Sequence, residues 1–170
     1  MLSFDIRSLE AEATLVDDEL AADDPIWEEG DRIPASAVHV TGRLSPAGEG
    51  RFYFSGQLEG KVTDDCRRCL TDVEMPVSDA AHFLLAETGD DEVDDPDVYE
   101  YPSRAQRLDL RSAIREHWLL SAPQYALCKA DCAGLCATCG ADLNAGSCDC
   151  AAPTDPRFDA LRGATHDDAR

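Results

Sequence analysis

The sequence predicts an α+β protein: a small antiparallel β-sheet or partial barrel, one packed helix, and a C-terminal cysteine-rich zinc-knuckle segment. Three observations lead there. Residues 33–44, 51–63 and 71–87 alternate β-branched or aromatic residues with polar ones. Residues 108–122 carry the clearest helical pattern and end against Pro123. Six of the eight cysteines then fall between Cys128 and Cys150, where apolar residues are too few to fold the chain by burial. A chain of 170 residues has room for one core and an appendage. The expected divisions are a β-rich domain over 1–123, a cysteine-rich segment over 124–152 and a largely flexible tail over 153–170.

Taken in order, Leu2 to Leu9 alternates loosely and reads as a first strand or a strand–turn. Glu10 to Glu29 holds nine acidic side chains and no basic one, with Pro25 as a breaker. Val16 and Leu20 would share one helical face there, and a solvated connection is the alternative. Val38-His39-Val40-Thr41 marks the first strand of a hairpin, Ser45 to Gly50 its turn, and Arg51 to Thr63 its return. A further strand from Thr71 to Glu87 places Cys66-Arg67-Arg68-Cys69 at a strand-to-strand connection. Gly89 to Glu100, with seven acidic residues, reads as a solvated loop. In the helix, Asp109 is the expected N-cap, and Leu110, Ala113, Ile114 and His117 share the packed side. One helical turn is expected at residues 157–161.

The cysteines carry the chemistry. In Cys136-Ala137-Thr138-Cys139-Gly140 two thiols two residues apart can face one ion, and the glycine lets the backbone turn back behind them. The N-terminus has neither a basic nor an apolar export region, so a reducing cytoplasm is expected, where clustered cysteine means metal rather than disulfide. All-thiolate sets select zinc or an iron–sulfur centre, and the knuckle form favours structural zinc. The candidate ligands are Cys128, Cys132, Cys136, Cys139, Cys148 and Cys150, joined by Cys66 and Cys69 if there are two sites. A single ion held by four of the six clustered cysteines is the favoured count. The alternative is Cys136, Cys139, Cys148 and Cys150 on one ion, with Cys66, Cys69, Cys128 and Cys132 on a second.

Charge bounds the partners. A net charge of −20 repels phosphate backbones and attracts basic proteins. Against that trend, residues 104–129 hold five basic and two acidic side chains, with Arg107, Arg111 and Arg115 four apart. Together with Arg67 and Arg68 these are candidate partner-binding residues. Salt bridges to the acidic segments are the plainer use for them. No apolar run is long enough for a membrane span. The sequence offers no nucleophile elbow, phosphate loop or spaced carboxylate pair, so neither an enzyme nor a small-molecule substrate is expected. A redox role for the Cys66–Cys69 pair would require a strand-to-helix setting that is not read here.

Several of these motifs occur together in one order. Cys66-Arg67-Arg68-Cys69-Leu70 is followed by Leu108-Asp109-Leu110, Leu119-Leu120-Ser121-Ala122-Pro123, and then Cys128, Cys132, Gly134-Leu135-Cys136, Cys139-Gly140 and Leu143-Asn144. Cys148-Asp149-Cys150 and Asp155-Pro156-Arg157-Phe158 close the series. In this the chain resembles the bacterial YceD family, described as a large ribosomal RNA subunit accumulation protein. The resemblance implies a cytoplasmic, non-enzymatic factor for accumulation of large-subunit (23S) ribosomal RNA, with zinc on its cysteine motif. Its expected partners are a large-subunit precursor and a basic ribosomal protein or assembly factor, with direct RNA contact limited to the arginines. A zinc-stabilised interaction module without a ribosomal role is the alternative.

Overall fold

A computed structural model describes residues 1–89, 98–151 and 157. Strand β1 (Ser3–Asp5) runs into helix α1 (Ile6–Ala11), and β2 (Thr14–Leu20), β3 (Val38–Gly48), β4 (Arg51–Asp65) and β5 (Asp72–Glu87) follow. Strands β6 (Val98–Tyr101) and β7 (Arg107–Asp109) lead to helix α2 (Arg111–Ser121). An open five-stranded sheet is ordered β2-β3-β4-β5-β6, antiparallel except where β6 runs parallel to β5. A separate antiparallel pair joins β1 to β7.

The long strands hold their alternation because one face is covered. In β4, Phe52, Phe54, Leu58 and Val62 are buried, and in β5 so are Val77, Ala81, Phe83, Leu85 and, next to it, Ala86. Phe54 lies directly opposite Phe83, with ring centroids 4.9 Å apart. Such aromatic cross-strand pairs fix register as well as burying area. Helix α2 covers this face with Ala113, Ile114 and Trp118. Trp118 lies over Gly60, where an added Cβ would come within 2.8 Å of the indole. Its Nε1 donates to the Arg32 carbonyl at 2.7 Å, which satisfies the one polar atom of a fully buried ring.

Several expectations are corrected here. Leu2 to Leu9 is not one strand: Asp5 accepts from the Ser8 backbone N–H and caps a short helix. Val16 and Leu20 belong to strand β2, where a spacing of four also returns to one face. Both are buried, and β2 pairs with β3 along its length. The hairpin turn is tighter than Ser45 to Gly50 suggested, because Ser45, Pro46 and Ala47 stay in β3, with an irregularity between Pro46 and Gly48. Leu108 and Asp109 pair with β1, so the helix starts later than its sequence pattern, although the Asp109 carboxylate still accepts from the Arg111 N–H at 3.0 Å. Of the acidic stretch 89–100, residues 90–97 lie outside the described residues, and residues 98–100 belong to β6. The helical turn expected at 157–161 also lies outside them, apart from Arg157.

Candidate metal centres

Strands β4 and β5 are the longest in the described chain, and their shared turn carries Cys66 and Cys69 to the end of the sheet. Helix α2 ends at Ser121, just before Pro123, and delivers the chain alongside that turn, where the Arg67 N–H donates to the Ala126 carbonyl at 2.9 Å. Cys128 and Cys132 then meet Cys66 and Cys69. The eight thiols form two groups of four, Cys66, Cys69, Cys128 and Cys132 in one and Cys136, Cys139, Cys148 and Cys150 in the other. Within each group the sulfurs lie within 4.8 Å of one another. This is the partition of the two-site alternative. The second group is itself four of the six clustered cysteines, and the remaining two are not spare but meet Cys66 and Cys69.

The dimensions fit a tetrahedral thiolate centre. A Zn–S bond of about 2.3 Å puts neighbouring sulfurs of a regular tetrahedron about 3.8 Å apart. In the first cluster Cys66 and Cys132 are 3.9 Å apart, and Cys69 and Cys128 are 3.6 Å apart. Backbone donors point at the sulfurs as well: the Cys128 N–H at Cys66 Sγ and the Thr138 N–H at Cys136 Sγ, both at 3.4 Å. These donors favour the thiolate form. Donation from the Cys128 and Arg68 backbone pulls the Cys66 thiol down to about 6. The Cys139 and Thr138 backbone does the same for Cys136, also to about 6. Beside that low thiol, Cys128, hydrogen-bonded to Cys132 and Cys69, is pushed up to about 12. A divalent cation would relieve that conflict by stabilising all four thiolates.

The two knuckles share one backbone form. The Cys66 N–H donates to the Thr71 carbonyl and the Cys136 N–H to the Ala141 carbonyl, both at 2.8 Å. Leu70 and Gly140 return their N–H to Cys66 and Cys136 at 2.9 Å. The environments differ: Cys66, Cys69 and Cys132 are buried, whereas Cys139 in the second group is exposed. The clusters are fastened together through Arg68, whose carbonyl accepts from the Leu135 N–H at 2.9 Å and whose Nη1 donates to the Cys132 carbonyl at 2.8 Å. Asn144 adds a latch. Its Oδ1 accepts from the Ala133 N–H at 2.9 Å, and its Nδ2 points at Cys132 Sγ at 3.4 Å. The sequence reading did not single out Asn144 as a site residue, although a polar amide between two cysteine pairs is a usable signal.

The arginines of the basic stripe are bonded within the chain. Arg115 pairs with Asp31 at 2.7 Å and Glu28 at 3.3 Å, and Arg111 pairs with Asp109 and Asp24. Arg107 donates to Ser3, so each of the three is tied to a segment distant in sequence. Arg67 lies over the Tyr125 ring, 5.2 Å from its centroid. Among the described residues no helix is long and apolar enough to cross a membrane.

The family of the large ribosomal RNA subunit accumulation protein YceD matches this chain over residues 54–163, a span containing all eight cysteines. A Zea mays protein named large ribosomal RNA subunit accumulation protein YCED homolog 1, chloroplastic, is 37% identical over 71 residues, which is 41% of this chain and 24% of the relative. Its namesake in Arabidopsis thaliana is 34% identical over 58 residues, 34% of this chain and 18% of the relative. The chain therefore spans less than a quarter of either curated relative. No solved structure matches it. With most of β4, all of β5 and α2, and both cysteine clusters inside the matched region, the chain belongs to the YceD family.

Proposed function

We propose that this protein is a non-enzymatic, cytoplasmic factor for the accumulation of large-subunit ribosomal RNA, acting by binding, with structural zinc on both cysteine clusters. The observation that carries the reading is the family match over 54–163, which includes the full ligand set of each cluster. Four thiols per cluster fill a tetrahedral shell and leave no position for a substrate or an activated water, which supports a structural rather than a catalytic metal. The Cys66–Cys69 turn joins two antiparallel strands, a setting unlike the strand-to-helix site of a dithiol oxidoreductase. The zinc would fix the loops after α2 against the end of the sheet, holding residues 124–150 as a binding surface.

The net charge of −20 favours a basic protein over bare RNA as the direct contact. A deletion strain tests the function: a deficit of large-subunit RNA and precursor, restored by the wild-type gene but not by one lacking both cysteine clusters, is expected. Normal large-subunit RNA in the deletion strain would reject it. Zinc near two equivalents per chain is expected for protein purified anaerobically.

A further inference from the structure

We propose that the exposed apolar surface beside the first cysteine cluster is a docking site for a lysine- and arginine-rich protein segment carrying an apolar anchor residue. The inference rests on the large-subunit reading above, since proteins that assemble on ribosomal RNA are basic in order to neutralise phosphates. It starts from Leu70. This residue has φ of 59°, the left-handed region that side chains avoid, and it is the only such non-glycine residue among those described. Its side chain is 64% exposed, so burial within the chain does not offset the strain. Glycine would suit the same turn, as it does at Gly140 in the second knuckle. A strained backbone that presents an apolar side chain to solvent points to a use outside the fold.

The surroundings extend the surface. Residues 66–70 run beside residues 124–128, joined by the Arg67–Ala126 and Cys128–Cys66 hydrogen bonds. That second strip exposes Tyr125 at 78% and Leu127 at 38%. Tyr125 is held under the Arg67 guanidinium, whose Nη2 is itself fixed by the Gln124 carbonyl at 2.9 Å. A fixed tyrosine and two leucines supply contact area that loses little conformational freedom on binding.

Charge decides the occupant. Asp65 and Asp72, paired across the last position of β4 and the first of β5, are exposed beside the knuckle, and Asp131 is exposed between Cys128 and Cys132. Arg67 and Arg68 are fastened to neutral groups, the Tyr125 ring and the Cys132 carbonyl, and with exposed Lys129 they balance the three carboxylates locally. The field of a chain of charge −20 then favours a cationic peptide over a phosphate backbone at this apolar centre.

The test uses the zinc-loaded full chain against overlapping peptides covering the large-subunit ribosomal proteins. Expected is capture of basic peptides that contain a large apolar residue, with binding about tenfold weaker for Leu70→Gly and Tyr125→Ser. Leu70→Gly relieves the turn, so its zinc content and folding are retained and the loss is not unfolding. Capture of no peptide, capture independent of apolar residues, or equal binding by the variants would overturn the proposal. So would a dependence on Leu70 seen only for a single-stranded RNA oligonucleotide or for self-association. Sedimentation separates this from the functional reading. Wild-type protein absent from large-subunit precursor fractions rejects the function, whereas wild type and both variants present together reject only the docking surface.

Discussion

Leu70 and Gly140 occupy the same place in two turns of one shape. Each follows the second cysteine of a Cys-x2-Cys pair, with φ of 59° and 73°, and each returns its N–H to the first cysteine at 2.9 Å. The left-handed conformation costs a side-chain-bearing residue about 1–2 kcal/mol. Leu70→Gly is therefore expected to stabilise the chain by about 1 kcal/mol, reduced by glycine's greater freedom when unfolded. Gly140→Leu is expected to destabilise by a similar amount. Denaturant unfolding of the two zinc-loaded variants measures both, and a loss of stability in Leu70→Gly would refute the strain argument.

The two clusters are expected to be separable. A variant with Cys66→Ser and Cys69→Ser should carry one zinc equivalent instead of two, and so should one with Cys148→Ser and Cys150→Ser. Their effects on the fold should differ, because the first removes the tie between the sheet and the chain after α2, whereas the second loosens only the outer loops. Metal analysis combined with limited proteolysis would detect this. Equal loss of protection in β4 and β5 for the two variants would contradict it.

Trp118 joins α2, β4 and the segment before β3. Trp118→Ala is expected to cost about 3–5 kcal/mol, the usual range for emptying a large buried aromatic site. It also removes the donor that satisfies the Arg32 carbonyl. The midpoint of denaturant unfolding should fall accordingly, and a shift equivalent to less than 1 kcal/mol would place the tryptophan outside the main core.

The Asp31–Arg115 pair predicts a dependence on acid. Hydrogen bonding from the Arg115 guanidinium holds the Asp31 carboxyl below its ordinary value of 3.8. Because the folded value is the lower one, its contribution is complete above pH 3.8 and disappears as pH falls through the folded value. Between pH 5 and pH 2, Asp31→Asn should show a shallower fall in stability than wild type. Acid release of metal is common to both proteins, so the difference between their profiles is the quantity to measure. Coincident profiles would mean that the pair does not stabilise the fold.

The sheet was largely legible because β3, β4 and β5 alternate against one covered face, as Phe52, Phe54 and Leu58 do. Strand β2 was not, since Val16 and Leu20 suit a helix and a strand equally and acidic residues surround them. What settles their state is pairing with β3, a partner that local pattern does not contain. Strand β7 similarly takes Leu108 from the helical pattern by pairing with β1. For the metal centres, the ligand types and both knuckles could be read directly. Their grouping was one of the two readings the spacing allowed, and choosing it depends on α2 ending next to the β4–β5 turn, a tertiary relationship that cysteine spacing does not encode. The arginine stripe had the same limit: its spacing was visible, but the acids that neutralise it lie far away in sequence, Asp24 opposite Arg111 and Asp31 opposite Arg115.

The ligands of the outer cluster all come from one short loop, while in the inner cluster Cys66 and Cys132 are separated by 66 positions. During synthesis the inner centre can close only after the central strands and α2 have emerged, whereas the outer one needs nothing upstream. Occupancy of the inner centre would thus report that the sheet and the chain after α2 have come together, whereas the outer centre would report only that synthesis has passed Cys150.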